Sequence, residues 1–221
     1  MKIMKLYKFT ISVFLIFISF QLMGQSDFKP IIGDNLNQYK AQIKAKNAQI
    51  TSISCPFTQT KNMSILKNPS ISKGIMYFKK NQKFRWEYFN NPTFIFAQNG
   101  KTIYTKSGDK VQIIKDNSVI LYQQISKLVM QSISGEILEN NKDFIAKFEE
   151  NGSFIKIILE PKQSNIKKYI SSIQLMIDKK SYLASQFILN EPNGDNTIIK
   201  FENVKLNKNI DDSMFILKIE L

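Results

Sequence analysis

The sequence predicts a mainly β protein with helices (α+β), built on a curved antiparallel sheet that forms an incomplete barrel. Three observations lead to this prediction. Apolar and polar residues alternate with a period of two along most of the chain, turn residues separate the alternating runs at short intervals, and helical spacing is confined to two segments. About ten short strands joined by hairpins are typical of one strongly curved sheet.

The first 24 residues have the organisation of a cleaved secretory signal. A basic start precedes an apolar run over residues 9–20, which is too short for a comfortable membrane span and is followed at once by polar sequence. We expect cleavage between Gly24 and Gln25, so that residues 25–221 form one mature, exported domain. No cysteine ends the apolar run, and lipid anchoring at that point is therefore not expected.

The first half of the mature chain starts with a helix and continues as strands. The helix is expected from Asp34, which can cap it, to about Ala48, with a narrow apolar stripe. The segment Asn62 to Ser70 shows no clear period and stays unassigned. Asn99-Gly100 predicts a tight hairpin turn. Strands are expected over residues 53–60, 71–79, 84–88, 93–98, 101–106 and 111–115.

The second half opens with helical spacing over residues 118–134, which Gly135 can end. A lone amphipathic helix among strands must place its apolar stripe on the sheet. It is either a plug for the core or a movable lid, and the sequence alone favours the plug. Strands are then expected over residues 144–150, 154–160, 169–178, 183–190 and 197–206.

The stretch from Gly74 to Tyr104 is unusually rich in aromatic residues. With a period of two, Phe84, Trp86 and Tyr88 share one face of a strand. Arg85 and Glu87 then lie on the other face, where they form a surface or cross-strand ion pair. The sheet therefore has a broad aromatic inner face, which is either ordinary core or the wall of a cavity.

Composition limits the possible functions. The chain has 31 Lys+Arg against 18 Asp+Glu and a formal net charge of +13, yet it contains a single arginine and no histidine. The charge favours a solvated lysine-rich surface over an anionic membrane or acidic partner, and nucleic-acid binding is not expected without clustered arginine. Without histidine or paired carboxylates, no catalytic residue, metal site or cofactor is predicted. Cys55, the only cysteine, is expected to pack as a small apolar residue.

A set of short motifs occurs in order along the mature chain. The first half contributes Phe57-Thr58-Gln59, Gly74, Tyr77-Phe78, residues 84–88, Pro92 and residues 99–104. The second half contributes residues 159–162, 173–178, Asn196-Thr197, residues 201–203 and Met214-Phe215. Each motif alone is weak, but the ordered set is fairly specific, and it resembles the LolA outer-membrane lipoprotein carrier family.

The resemblance implies a half-open barrel of about eleven strands covered by a helical lid. It further implies a monomeric periplasmic carrier, not an enzyme, whose hydrophobic cavity receives the acyl chains of a lipoprotein. An inner-membrane lipoprotein-releasing transporter would load the carrier, and an outer-membrane acceptor would unload it. The candidate cavity wall is Phe57, Phe84, Trp86, Tyr88, Phe94, Phe96 and Tyr104. The candidate lid residues are Leu121, Ile125, Leu128 and Val129.

One departure from the family concerns the latch of the lid. Well-studied members have an arginine before the aromatic strand that ties the lid closed, and residue-by-residue matching places Lys80 there. Lysine can donate to lid carbonyls but lacks the planar guanidinium fork. The latch in this chain is therefore Lys80, weaker than arginine, or else Arg85.

Two alternatives stay open. The segment Asn62 to Gly74 resembles a divergent LolA-related branch, which implies another lipid or an acylated pigment as the cargo. The same half-barrel also serves in periplasmic domains that sense mislocalised lipoproteins, although such proteins typically have a further domain or a membrane tether.

Overall fold

The computed structural model describes residues 27–114, residue 131 and residues 143–218. These ranges contain thirteen strands, which all pair antiparallel in one sheet. In chain order, β1 to β13 span Lys29–Pro30, Ser52–Asn62, Ser70–Lys79, Lys83–Tyr88, Phe94–Asn99, Thr102–Ser107, Lys110–Ile113, Phe144–Glu150, Phe154–Pro161, Ser172–Asp178, Ala184–Asn190, Asn196–Phe201 and Lys205–Leu206.

The sheet is not closed. Its strand order is β1-β8-β9-β10-β11-β12-β2-β3-β4-β5-β6-β7, and β13 pairs with the start of β2 beside β12. The mainly β, half-open fold expected from the sequence is therefore confirmed. The strand count exceeds the expected eleven because β1 and β13 have only two residues each, and two residues are too few to show an alternation in the sequence.

Helix α1 spans Asp34–Ala48, as expected, but its cap differs from the prediction. The N-cap position is Gly33, whose φ of 64° suits glycine, and no side chain caps the helix. Asp34 lies in the first turn instead, where its negative charge interacts favourably with the positive end of the helix dipole. Ile43 is the most deeply buried apolar side chain of the helix.

Two predicted strands are shorter than expected. Residues 169–171 are not in a strand, because a short helix, α2 (Ser164–Lys167), precedes β10. The long strand expected over residues 197–206 divides into β12 and β13 at Asn203, whose φ is 48°. A 3₁₀ helix at Asp212–Phe215 then places Phe215 in the interior.

The β5–β6 hairpin is also displaced by one residue from the predicted turn. Asn99 pairs with Thr102, so the two-residue loop is Gly100-Lys101 and not Asn99-Gly100. Gly100 alone has a positive φ, 59°, at the first loop position, where glycine is the favoured residue of one common hairpin turn.

The connections alternate between two ends of the sheet. The near end contains the β3–β4, β5–β6, β8–β9 and β10–β11 loops together with α1. The far end contains the β2–β3, β4–β5, β6–β7 and β11–β12 loops and α2. Tyr39 fixes α1 at the near end, where its hydroxyl donates to Glu150 at 2.7 Å and Glu150 also accepts from Lys179.

One face of the sheet, the inner face, bears the main hydrophobic core. Strands from both halves of the sheet contribute to the same cluster, which shows that the sheet curves around it. Members from the second half of the chain include Phe148, Ile157, Leu175 and Phe187, and members from the first half include Phe57 and Trp86.

Candidate functional site

Six of the seven predicted wall residues form one continuous aromatic surface on the inner face. Phe57 comes from β2, Phe84, Trp86 and Tyr88 come from β4, and Phe94 and Phe96 come from β5. Cross-strand register pairs Trp86 with Phe96 and Tyr88 with Phe94, which places all four side chains on the same face. We call these six residues the aromatic wall.

The rings of the aromatic wall contact one another in a chain. The centroid of Phe57 lies 4.1 Å from that of Trp86 and 5.4 Å from that of Tyr88, the latter in an edge-to-face arrangement. Trp86 is also stacked with Phe84 at 6.0 Å. Tyr88 continues the chain to Phe94 at 6.2 Å. Offset and edge-to-face pairs at these distances are the favourable aromatic geometries, so the wall is a preformed apolar surface.

Exposure increases along the aromatic wall towards the far end of the sheet. Phe84 is buried beside the near end, Trp86 is 8% exposed, and Phe94 is 37% exposed where β5 begins. The wall therefore runs from the interior to the solvent-exposed far end of the sheet.

Gly74 makes room for the wall at its centre. It is paired with Phe57 on one side and Tyr88 on the other. A Cβ atom at this position would lie 2.4 Å from Cζ of Phe57 and 2.1 Å from the backbone oxygen of Glu87. Only glycine thus lets the Phe57 ring lie across β3 and reach Trp86.

A polar pair lies on the inner face close to the exposed end of the aromatic wall. The Tyr88 hydroxyl donates to Oε1 of Gln59 at 2.8 Å, and burial raises the pKa of that hydroxyl. The hydroxyl is therefore a neutral donor at physiological pH. Tyr88 and Gln59 thus place a hydrogen-bonded polar pair beside the exposed end of an otherwise apolar surface.

Tyr104 is not part of the aromatic wall, and its predicted position is corrected by the register of the sheet. It pairs with Ala97, which lies on the opposite face of β5 from Phe96. There it packs against a separate small cluster of Ile95, Ala97 and Leu217. The inner-face residue at this level of β6 is Ile103, which is fully buried.

Arg85 is also on the opposite face. Its guanidinium donates from Nε and Nη2 to Oε2 of Glu87, at 2.9 and 2.7 Å, and from Nη1 to the backbone oxygen of Met214 at 3.0 Å. The ion pair predicted for Arg85 and Glu87 exists, but within one strand and not across two. These contacts hold the Arg85 side chain against the 3₁₀ helix at Met214, on the face of the sheet opposite to the inner face.

Lys80 lies at the near end, in the β3–β4 loop. Its Nζ donates to the backbone oxygen of Ala48 at 3.3 Å, at the C-terminus of α1. A lysine at this position donates to a carbonyl of the last helical turn, and its positive charge interacts favourably with the negative end of the helix dipole.

The four predicted lid residues, Leu121, Ile125, Leu128 and Val129, lie outside the described residues. Within their predicted helix only residue 131 is described, and it is helical.

The sequence prediction also left out half of the inner surface. Alternating residues of β8 to β12, among them Phe144, Phe148, Ile157, Leu175 and Phe187, face the same interior as the aromatic wall. Their period-two pattern was the signal that could have identified them, because residues that alternate on neighbouring strands share a face.

Cys55 is buried on the inner face of β2. Burial raises the pKa of its thiol to about 11. A thiol with that pKa is almost entirely protonated at neutral pH and is a poor nucleophile.

In residues 27–114 and 143–218, no three Cys, Asp or Glu side chains are grouped so that they could hold a metal ion. No helix in the described ranges is long and apolar enough to cross a membrane.

Comparison with known families and structures gives a consistent result. The model of the family described as "Outer membrane lipoprotein carrier protein LolA" matches residues 48–218. That range includes the whole aromatic wall. No curated protein sequence matches the chain.

Among solved structures, an uncharacterized conserved protein from Thermus thermophilus is similar over 81% of this chain and 92% of its own, with a TM-score of 0.52 and 10% identity. This likeness supports the fold. A LolA superfamily protein from Nitrosomonas europaea is similar over 80% of this chain and 97% of its own, with a TM-score of 0.45 and 9% identity. The lipoprotein LppX from Mycobacterium tuberculosis is similar over 81% of this chain and all of its own, with a TM-score of 0.45 and 13% identity.

Proposed function

The chain belongs to the LolA family of outer membrane lipoprotein carrier proteins, and on that premise we propose that it carries acylated cargo through the periplasm. In this proposal the inner face shields the acyl chains of a lipoprotein. An inner-membrane transporter that releases lipoproteins loads the monomeric carrier, and an acceptor at the outer membrane receives the cargo. The carrier makes and breaks no covalent bond.

The observation that supports this proposal best is the continuous aromatic wall, which extends from the interior to the exposed far end of the sheet. An acyl chain gains about 0.8 kcal/mol for each CH₂ that it removes from water, so a long chain gains on the order of 10 kcal/mol. Six aromatic rings in mutual contact supply a large apolar area with few rotatable bonds. The wall can therefore take up a chain without a large loss of side-chain entropy.

A carrier also has to release its cargo, and a movable cover would control this step. We propose that the segment with Leu121, Ile125, Leu128 and Val129 is that cover, and that Lys80 holds it through the adjacent end of α1. A lid moves on loading only if the cargo binds the open state better than the closed one. Lysine forms a weaker latch than the arginine of the family pattern.

The direct test is to identify what the protein carries. The mature protein would be isolated from a periplasmic extract and its bound molecules identified by mass spectrometry. Detection of bound acylated lipoprotein would support the proposal. Detection of free lipid or pigment would show that the protein carries one of these instead of a lipoprotein. No bound lipid, combined with no uptake of acyl ligands in vitro, would refute it.

A matched pair of variants tests the site itself. Phe96→Ala removes a ring from the aromatic wall, and Tyr104→Ala removes a ring of similar size from the opposite face of the same hairpin. We expect Phe96→Ala to weaken binding of a fluorescent fatty acid at least tenfold, and Tyr104→Ala to leave it unchanged. Equal effects of the two variants would contradict the assignment of the site to the inner face.

A further inference from the structure

Exposed apolar side chains are concentrated at the far end of the sheet. Seven of the nine exposed large hydrophobic residues in the described part of the chain lie there. Ile145 and Tyr169 belong to the half of the sheet formed by β8 to β12. The other five lie together on the β2–β3 and β4–β5 hairpins, and we call them the apolar rim: Ile65, Leu66, Ile71, Phe89 and Phe94.

The residues of the apolar rim lie together at one edge of the sheet because the two hairpins are bonded to each other. The backbone N–H of Phe89 donates to the backbone oxygen of Lys73 at 2.9 Å, close to Ile71 in the chain. Ile65 is 85% exposed at the tip of the β2–β3 loop, and Phe89 is 61% exposed. Phe94 belongs both to the apolar rim and to the aromatic wall, so the rim meets the inner face at this residue, while Ile71 lies on the other face of the same edge.

The charged residues in the two loops of the apolar rim and beside them are all lysines. Residues 61–74 and 88–94 contain Lys61, Lys67 and Lys73 and no Asp or Glu. Two neighbouring connections add carboxylates: the β11–β12 hairpin contains Glu191 and Asp195, and the β6–β7 loop contains Asp109 between Lys106 and Lys110. Asp195 is the one in contact with the rim, since it accepts a hydrogen bond from the backbone N–H of Ser64 at 2.7 Å. That bond and the charge of Lys61 hold the pKa of Asp195 below its usual range. The lysines therefore exceed the acids at this edge.

We propose that the apolar rim docks on an anionic phospholipid bilayer. Apolar side chains on loop tips with flanking lysines are the combination that binds a membrane interface, where rings and aliphatic chains enter the headgroup layer and lysines attract anionic lipids. Docked in this way, the exposed end of the aromatic wall at Phe94 faces the bilayer. An acyl chain then passes between the membrane and Phe94 without crossing water. This inference rests on the proposed function, since it concerns how the same cargo enters or leaves.

The test is co-flotation of the mature protein with vesicles made of equal amounts of phosphatidylglycerol and phosphatidylcholine, compared with vesicles of phosphatidylcholine alone. We expect binding to the first and at least tenfold weaker binding to the second. The double variant Ile65→Glu with Leu66→Glu should lose at least tenfold in vesicle binding. Its control is Ile32→Glu, which changes an 80% exposed isoleucine outside the rim and should bind as the wild type does.

Charge is tested by a second matched pair. Changing Lys61, Lys67 and Lys73 to Gln should weaken binding to the anionic vesicles by about 100-fold, since each lysine near such a surface contributes about fivefold. The same change at Lys180, Lys205 and Lys208, which are exposed at the near end, removes equal net charge and should have a much smaller effect. Failure of the wild-type protein to bind anionic vesicles, or equal losses in the two triple variants, would overturn the proposal.

Acyl-ligand binding in solution separates this inference from the proposed function. The rim variants should still bind a fluorescent fatty acid, because five of the six wall residues lie outside the rim and none of the rim variants changes Phe94. If the wild-type protein binds vesicles but no fatty acid, the carrier proposal is refuted and the membrane-docking surface is still supported. Acyl binding without vesicle binding would refute the docking surface alone.

Discussion

Replacing Gly74 by alanine is the most specific perturbation of the aromatic wall. A Cβ atom there would lie 2.1 Å from the backbone oxygen of Glu87 and 2.4 Å from Cζ of Phe57, well inside the 3.4 Å at which ordinary contacts begin. The Phe57 ring can rotate away, but the oxygen belongs to the paired strand β4. The substitution therefore has to separate β3 from β4 by roughly 1 Å as well as displace Phe57.

The expected cost is large for so small a change. Overpacking typically costs about 1–3 kcal/mol, and a backbone atom that cannot move aside places this case at or above the upper value. For a chain of this size, about 3 kcal/mol lowers the Tm by roughly 6 °C or more. Thermal unfolding followed by circular dichroism measures this change. Gly152→Ala is the control, because a Cβ at Gly152 would meet nothing within 4 Å.

The same variant has an optical readout. Trp86 is the only tryptophan in the chain, and the Phe57 ring lies 4.1 Å from it. Displacing Phe57 should shift the emission of Trp86 to longer wavelength and make it more accessible to iodide. If Gly74→Ala unfolds with the wild-type Tm and keeps the wild-type emission, then the packing of Phe57 against Gly74 and Trp86 has been misjudged.

Three further predictions concern single side chains. Because burial raises the pKa of Cys55 to about 11, the native protein should resist thiol alkylation at pH 8 and react promptly when unfolded; full labelling of the native state would contradict this. Hydrogen bonds from Lys79 and Lys83 lower the pKa of Asp212 to about 2. The contribution of Asp212 to stability is therefore complete above the pKa of about 4 that it has in the unfolded chain, and it is lost as the pH falls towards 2. Asp212→Asn should remove that part of the pH dependence measured by denaturant unfolding, and identical profiles would refute the assignment. Lys80→Ala should change the rates of acyl uptake and release with a loss of stability under about 1 kcal/mol, while unchanged rates would exclude Lys80 as the latch.

The strands were predictable where alternation is long enough to be seen. β4 and β8 to β11 follow from period-two patterns bounded by turn residues, and α1 follows from its apolar stripe. The two-residue strands β1 and β13 have no such pattern, and the bend at Asn203 divides a run that looks continuous in sequence. Tertiary pairing determines these details, and local preference does not encode them.

The position of Tyr104 illustrates a different kind of error. A two-residue hairpin loop pairs even-numbered residues of one strand with odd-numbered residues of the next. Tyr104 therefore faces away from Phe96 for either placement of the turn, and in the structure it lies opposite Ala97. Its aromatic character suggested the wall, but the parity of the hairpin excludes it.

The apolar rim could not be predicted from the sequence. Two of its five residues, Ile65 and Leu66, lie in the unassigned segment Asn62 to Ser70, which has no period that would indicate a strand or a helix. The contacts of Asn62 and Ser64 with the neighbouring β11–β12 hairpin place this segment at the far end of the sheet, and such contacts between distant parts of the chain leave no local pattern.

The central claim is that the aromatic wall binds acyl chains, and quenching of Trp86 tests it most directly. The mature protein would be titrated with a fatty acid that has bromine atoms along its chain and, separately, with the same fatty acid without bromine. Trp86 is 8% exposed and lies in the middle of the wall. We predict saturable quenching by the brominated chain only, with little quenching by iodide. Binding of both fatty acids without bromine-dependent quenching, or no binding of either, would contradict the claim.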